Sequence, residues 1–484
     1  MMDFTTPSYY WVFLPVILLV AFNLRRKSLR SETISLLIFS YIFFWYSSGW
    51  YVILLLISTL TDWVVVRKML TAGIEELSRK RWLWISITVN LGFLVVFKYL
   101  DMIIEWFNLV SFQINGPELP LRHLFLPVGI SFYTFQSMSY SIDVYRTNEK
   151  TFDTFIQFAC YVSFFPQLVA GPIVRAKHFH SELTKKRSFT VANLKIGLAF
   201  IVFGLFKKLV IADNLGLHVD VIFSSAKAVE NSVTVLYGSL CFGIQIYCDF
   251  SAYTDIAIGS AILFGIRLPE NFNHPYLSAS PQEFWRRWHI TLSTWLRDYV
   301  YISFGGNRKG VRRMYLALFA TMALGGIWHG ASFNFLLWGI VHGIILILHR
   351  ILSGTKRNME LKERFTKTHF IISWIVTQYL VFLTWLIFRV QDTALLFTSM
   401  KSFLLLGNFG IMDAYRSLPD VKFLTFLLIL MFITAHFIGS KYGCLRTKLS
   451  EQKILSYSII IGFMFTAIFI LKPAEISTFI YFQF

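Results

Sequence analysis

Apolar stretches separated by short polar segments run the whole length of the chain. They lie near 9–23, 33–46, 50–66 and 82–98, then near 194–214, 233–265, 315–327, 330–349, 370–388, 421–439 and 455–471. Many approach the roughly 20 apolar residues a helix needs to cross a bilayer. Stretches near 123–142 and 155–174 read as weaker or re-entrant spans. None shows the short alternation of a transmembrane β-strand. The pattern predicts an all-α, polytopic membrane protein with about eleven transmembrane helices plus re-entrant and interfacial helices. The 233–265 stretch is expected to be broken. Phe164–Arg175, FFPQLVAGPIVR, carries Pro166, Gly171 and Pro172 among apolar residues and suits a re-entrant element buried against protein.

Composition agrees. Of 484 residues 56% are hydrophobic and 15% charged, with 50 Phe, whereas soluble domains carry about 25% charged residues. The formal charge of +18 does not mark a nucleic-acid binder, because it is spread over clusters between apolar runs. These are Arg25, Arg26, Lys27 and Arg30; Arg67, Lys68, Arg79, Lys80 and Arg81; Arg175, Lys177, Lys185, Lys186 and Arg187; Arg308, Lys309, Arg312 and Arg313; Lys356, Arg357, Lys362 and Arg364; and Lys441, Arg446 and Lys448. The positive-inside rule places them in the cytoplasm and the N-terminus outside. The first apolar run, Tyr9–Phe22, lacks the basic start and cleavage site of a signal peptide. Cys160, Cys241, Cys248 and Cys444 show no metal-ligand spacing, so no metal is expected. One membrane domain, 1–484, accounts for the chain: N-terminal helices to 120, the core motifs over 121–350 and C-terminal helices from 351.

The first candidate for chemistry is His329, in the Trp328-His329-Gly330 triplet inside the apolar run Tyr315–Leu348. Lipid offers an imidazole no water, so such a group is kept mainly to move protons, bind or react. A core histidine with a quiet partner is the competing reading. The segment Pro269–Lys309 is less apolar. Ser280-Pro281-Gln282-Glu283 is a capping box with proline at the first helical position. From there Trp285, Trp288, His289, Leu292, Trp295, Leu296 and Tyr299 fall on one helical stripe, with Arg286, Ser293 and Arg297 on another, ending at Gly305-Gly306. One amphipathic helix at the cytoplasmic interface or along a cavity is expected. His289 would lie on its aromatic face, either as a working residue or as an interfacial histidine beside anchoring tryptophans. Asp249 and Asp255 sit in an apolar context, either as helix caps at a break or lining a polar path.

Together these segments resemble the membrane-bound O-acyltransferase family, in the bacterial branch typified by alginate O-acetylation. The resemblance is carried by PVGISFYTFQSMSY (127–140), FFPQLVAGPIVR (164–175), YCDFSAYTDIAIG (247–259), PENFNHPYL (269–277), EFWRRWHITLSTWLRDYVYI (283–302), GGNRKG (305–310), GGIWHG (325–330) and the terminal FIYFQF (479–484). It spans nearly the whole chain in the family's order, although the first 120 residues match only in hydrophobicity.

The resemblance implies transfer of an acyl group from a cytoplasmic thioester to a hydroxyl. The family's histidine falls on His329 and its second polar position on His289. A neutral imidazole near its usual pKa of about 6.5 suits a general base, the role expected of His329. His289 is expected to position a reactant or to donate a hydrogen bond to the developing oxyanion. Acetyl-coenzyme A is the expected donor, a substrate and not a resident cofactor. Arg286 and Arg287 are the favoured partners for its phosphates, ahead of Lys309, Arg312 and Arg313. Trp285, Trp288 and Trp328 would wall a tunnel, and Asn271, Asp298, Asp249 and Asp255 complete the candidates for donor binding. His342, His274, His178 and His180 read as structural, loop or interfacial residues.

The expected setting is the bacterial inner membrane among membrane lipid. A periplasmic, esterase-like acetyltransferase would receive the acetyl group for a polysaccharide acceptor, alginate or a similar exopolysaccharide. Peptidoglycan or another envelope glycan is the alternative acceptor, and D-alanyl transfer belongs to more distant relatives. A transporter and an assembly scaffold are the alternatives of another class.

Overall fold

The computed structural model describes residues 4–169, 171–187, 189–353, 367–418 and 422–480. The basic cluster at 356–364 and the last four residues of the terminal motif lie outside them. The described residues form helices and connecting loops without a strand, apart from one isolated bridge between Asn231 and Asn408. Eight helical runs among them are long and apolar enough to cross a membrane. Leu29–Met69, at 41 residues, holds two helices joined at Gly49–Tyr51. Glu76–Gln113, at 38 residues, extends the expected 82–98 span through a π-turn at Val95–Tyr99. The expected spans near 194–214 and 315–327 are helical but fall outside these eight, as do the weaker stretches near 123–142 and 155–174, which are helical only over Ile130–Thr147, Phe155–Ser163 and Phe165–Leu168. Many faces are exposed and apolar. Ile454–Leu471 buries only Tyr457 and Ile468, as a helix solvated by lipid tails does. This is a multi-pass membrane protein.

Packing divides the chain into two compact units. The first comprises residues up to Ile201 together with Tyr253–Pro269. Asp62 of the Val52–Met69 helix is fully buried and accepts hydrogen bonds from Ser86, Ser137, Asn90 (2.9 Å) and Ser141 (3.0 Å). These donors come from Glu76–Leu94 and Ile130–Thr147, so one carboxyl ties three helices. The proline-bearing stretch folds back as expected. Phe155–Ser163 turns into Phe165–Leu168, with every residue from 158 to 169 buried. Protein meets several of its polar groups: Gln167 Nε2 donates to the Tyr161 carbonyl at 2.6 Å and the Tyr161 hydroxyl to that of Val174 at 2.9 Å, while Gln167 Oε1 has no hydrogen-bond partner among the described residues.

The second unit comprises Val202–Ala252 and Glu270 onward. Two expectations are corrected by the structure. The 233–265 stretch is not broken: Ser232–Leu263 is one 32-residue helix shared between the units. At about 1.5 Å per residue it runs past a bilayer core of about 30 Å. Asp249 and Asp255 are therefore mid-helix residues and not caps. Asp249 can stay there because Lys208 Nζ sits 2.8 Å from its Oδ1 and the Ile480 N–H donates to its Oδ2 at 2.8 Å.

The second correction concerns the aromatic stripe, which is not one helix. Pro281–Arg287 and Ile290–Leu296 are separate seven-residue helices, with Trp288 extended and His289 left-handed at φ 41°, ψ 56°. The break holds because a neighbouring strand of chain supplies the lost hydrogen bonds. Ile290 N–H donates to the Asn271 carbonyl at 2.9 Å, and Asn273 N–H donates to the Arg287 carbonyl at 2.9 Å. The helix start is as expected, with Ser280 Oγ accepting from Glu283 N–H at 3.1 Å. The Glu283 carboxylate returns to Ala279 N–H at 2.9 Å, one residue beyond the usual box.

Candidate functional site

The site is built where Val311–His329 meets Phe333–Ser353 in the second unit. Glycine decides how close they come: a methyl on Gly326 would overlap the Phe335 carbonyl oxygen, and one on Gly339 the Met322 carbonyl oxygen. This backbone approach sets His329, the last residue of the first helix, beside Trp338 of the second. The His329 ring centroid lies 4.9 Å from Trp338, 5.1 Å from Trp328 and 5.4 Å from Phe388. The residue is buried.

His289 is fully buried at the break. Its ring meets the edge of Phe250 at 4.6 Å, lies parallel to Phe272 at 6.5 Å and approaches Trp328 at 6.1 Å. The Trp328 indole thus borders both histidines. Burial pushes the His289 imidazole down to about 3, so the ring is neutral at physiological pH and acts as a hydrogen-bonding group. A non-glycine residue at positive φ costs on the order of 1–3 kcal/mol and persists where surroundings hold it. Here the holder is Asn271, whose Oδ1 accepts from Thr291 N–H at 3.1 Å and from its hydroxyl at 2.6 Å.

The remaining sequence candidates divide. Trp288 packs on Phe284 and Trp385, the latter at 4.7 Å. Trp385 stacks at 6.2 Å on Trp338, which carries the aromatic wall to His329. Trp285 joins from another side, against Trp338 at 5.7 Å and His342 at 5.0 Å. Asn271 is buried and braces the His289 turn. Arg286 is exposed, and Arg287 pairs with Glu283 at 2.7 Å within its own helix. Asp298 pairs with Arg297 at 2.8 Å. Asp249 belongs to an ion cluster: Lys208 is 2.8 Å from both it and Asp213, and Asp213 also accepts from Ser477 at 2.6 Å. That cluster fastens the C-terminal segment. Asp255 lies in the first unit, buried.

Trp338, Phe388, Phe250 and Phe272 were missed as wall residues because apolar runs make every aromatic look alike. The one available signal was Trp338 and His342 at helical i,i+4 spacing, whose rings meet at 4.6 Å. His342 is buried, with Nε2 lacking a hydrogen-bond partner among the described residues. It lines a cavity of about 10 Å³ with Phe284 and Trp285, room for about one water. Among the described residues no three His, Cys, Asp or Glu side chains converge as metal ligands would.

Two buried imidazoles bordering one indole, within an aromatic wall, suit proton transfer and oxyanion stabilisation. The sequence profile of the membrane-bound O-acyltransferase family matches residues 138–391, a stretch that holds His289, Trp328 and His329. The chain belongs to the membrane-bound O-acyltransferase family. Members are acyltransferases, and so is this chain. A Pseudomonas putida protein named probable alginate O-acetylase is 35% identical over 506 aligned residues, covering all of both chains. A Helicobacter pylori peptidoglycan O-acetyltransferase is 34% identical over 80% of this chain and 77% of its own length. A Bacillus subtilis teichoic acid D-alanyltransferase is 28% identical over 48% of this chain and 60% of its own.

Proposed function

We propose that this membrane-bound O-acyltransferase takes an acetyl group from cytoplasmic acetyl-coenzyme A and passes it across the bacterial inner membrane for O-acetylation of an envelope polysaccharide, alginate or a similar exopolysaccharide. The observation that carries the chemistry is the placement of His289 and His329 against the same Trp328 indole. His329 takes the proton of the attacking hydroxyl. Its oxygen bonds to the thioester carbonyl carbon, the carbon–sulfur bond breaks, and the thiol leaves with a proton. His289, neutral, donates a hydrogen bond to the carbonyl oxygen as negative charge grows there. The acceptor class is supported by the relatives' names, and the inner-membrane setting with an external N-terminus by the basic loop clusters. A periplasmic, esterase-like partner would complete the hand-over.

The test is direct. Full-length protein in lipid nanodiscs is given labelled acetyl-coenzyme A with alginate or peptidoglycan fragments and a periplasmic extract. Thioester consumption and labelled glycan that vanish in His329→Ala support the reading, and the labelled acceptor selects between alginate and peptidoglycan, the substrate named for the H. pylori relative. Solute uptake by vesicles without thioester consumption would instead make it a transporter. Product acetylation that survives His329→Ala would make it a scaffold.

A further inference from the structure

The first unit contains a cavity of about 340 Å³ that the acyl-transfer reading does not use. Lys185, Lys186, Arg187 and Arg267 line it, with Glu182 as the acid among its described lining residues. Glu182 is already engaged: Lys185 Nζ is 2.5 Å from its Oε1, and the Arg267 N–H donates to Oε2 at 3.1 Å. Lys186 and the Arg267 side chain have no ion-pair partner among the described residues. The wall therefore carries surplus positive charge, a field that attracts an anion.

Arg187 is the second, independent observation. Its side chain is 2% exposed. Nη2 donates to Glu32 Oε2 at 2.9 Å, while Nε and Nη1 have no acceptor among the described residues. A guanidinium buried with two N–H edges unmet is destabilising and is found where a planar oxyanion completes it. Gly265, at φ +74°, makes the space for this side chain, since a Cβ there would lie 3.2 Å from that of Arg187. The 16-residue helix Val191–Phe206 starts at the same wall. Thr190 begins it, its Oγ1 accepting from Asn193 N–H at 3.1 Å, and both residues line the cavity. Helix N-termini add partial positive charge suited to phosphate. The walls are tied by side-chain contacts to main chain, including a 2.9 Å contact between a His178 ring nitrogen and the Arg267 carbonyl. The cavity falls within the 300–1,000 Å³ typical of ligand sites.

We propose that this cavity binds a phosphate-bearing anion, either the headgroup of an acidic phospholipid or a soluble phosphate ester, through Arg187, Lys186 and Arg267. The proposal does not depend on the acyl-transfer reading. Full-length protein in phosphatidylcholine nanodiscs is titrated with inorganic pyrophosphate by calorimetry. In parallel, nanodiscs containing phosphatidylglycerol are analysed by native mass spectrometry for retained lipid. The variant is Lys186→Ala/Arg267→Ala, which alters exposed side chains and leaves the buried Arg187–Glu32 pair intact. Its folding is checked by thermal melting.

Saturable pyrophosphate binding that weakens about tenfold or more in the variant, as loss of charge-assisted contacts entails, supports a soluble ester. Retention of phosphatidylglycerol by wild type and its loss from the variant, with no saturable pyrophosphate binding, supports a lipid headgroup. Binding of neither probe, or equal binding by wild type and the folded variant, overturns the proposal.

Discussion

The rings of Trp328 and His289 lie 6.1 Å apart at 45°, although one residue is at the end of a long helix and the other at the break between two short ones. Trp328 also meets His329 at 5.1 Å. One side chain therefore sets the spacing of both imidazoles. Trp328→Ala should leave both histidines present but loosely held. A misplacement of about 1 Å costs on the order of 10²-fold in rate, so kcat/KM for acetyl transfer should fall by about that factor. Activity within a few-fold of wild type would contradict the shared-wall geometry.

His329→Ala should reduce turnover by about 10²–10⁴-fold, the usual contribution of a placed general base, and should also lower the melting temperature, because it empties a buried ring site. Single-turnover kinetics with labelled acetyl-coenzyme A separates lost chemistry from lost binding: the donor affinity should be retained.

His289→Asn tests the pH behaviour. The folded-state value of about 3 lies below the ordinary 6.5. Between those values the unfolded chain binds a proton that the folded chain refuses, so this group's share of stability is present above pH 6.5 and lost as pH falls toward 3. Asparagine tolerates the left-handed conformation and does not titrate. Melting temperatures in detergent between pH 7 and pH 5 should fall less steeply in the variant than in wild type. Parallel curves would remove His289 as a contributor.

Asn271→Ala removes the acceptor of Thr291 N–H and its hydroxyl. Leaving buried donors unmet costs about 1–3 kcal/mol each, and the His289 turn loses its brace. Lower melting temperature and lower kcat should appear together. Thr291→Val, which removes only the hydroxyl, should show a smaller change in both.

Asp249→Ala tests an anchoring role against a catalytic one. It leaves buried Lys208 with Asp213 alone and the Ile480 N–H without its acceptor. Breaking a buried ion pair costs about 3–5 kcal/mol. Limited proteolysis should cut the C-terminal segment faster than in wild type, and Asp249→Asn, which keeps an acceptor for Ile480, should be milder.

Hydrophobic spacing made the membrane character and most helices readable, because lipid forces each spanning segment to be apolar and to satisfy its own backbone, and Pro166, Gly171 and Pro172 pointed to the buried, interrupted Phe164–Arg175 segment. The sequence also singles out His329, as an imidazole in a hydrocarbon-like run, and His289, through its motif. Their roles remain proposals. Two local readings failed for one reason. Helical periodicity through 281–299 and the length of 233–265 are local signals, and both were overruled by partners distant in sequence. Asn271 offered hydrogen bonds that let the chain turn at His289, and Lys208 with Ile480 offered a charge and a donor that let the Asp249 helix continue.

Sequence by itself determined which segments are apolar enough for lipid, which family the motifs resemble and which imidazoles are exceptional. The tertiary structure alone decided that Trp328 borders both histidines, that Arg286 faces out while Arg187 is buried, and that Asp249 fastens the C-terminal segment. Those facts depend on side chains meeting across helices, and no spacing along one helix encodes what the neighbouring helix presents.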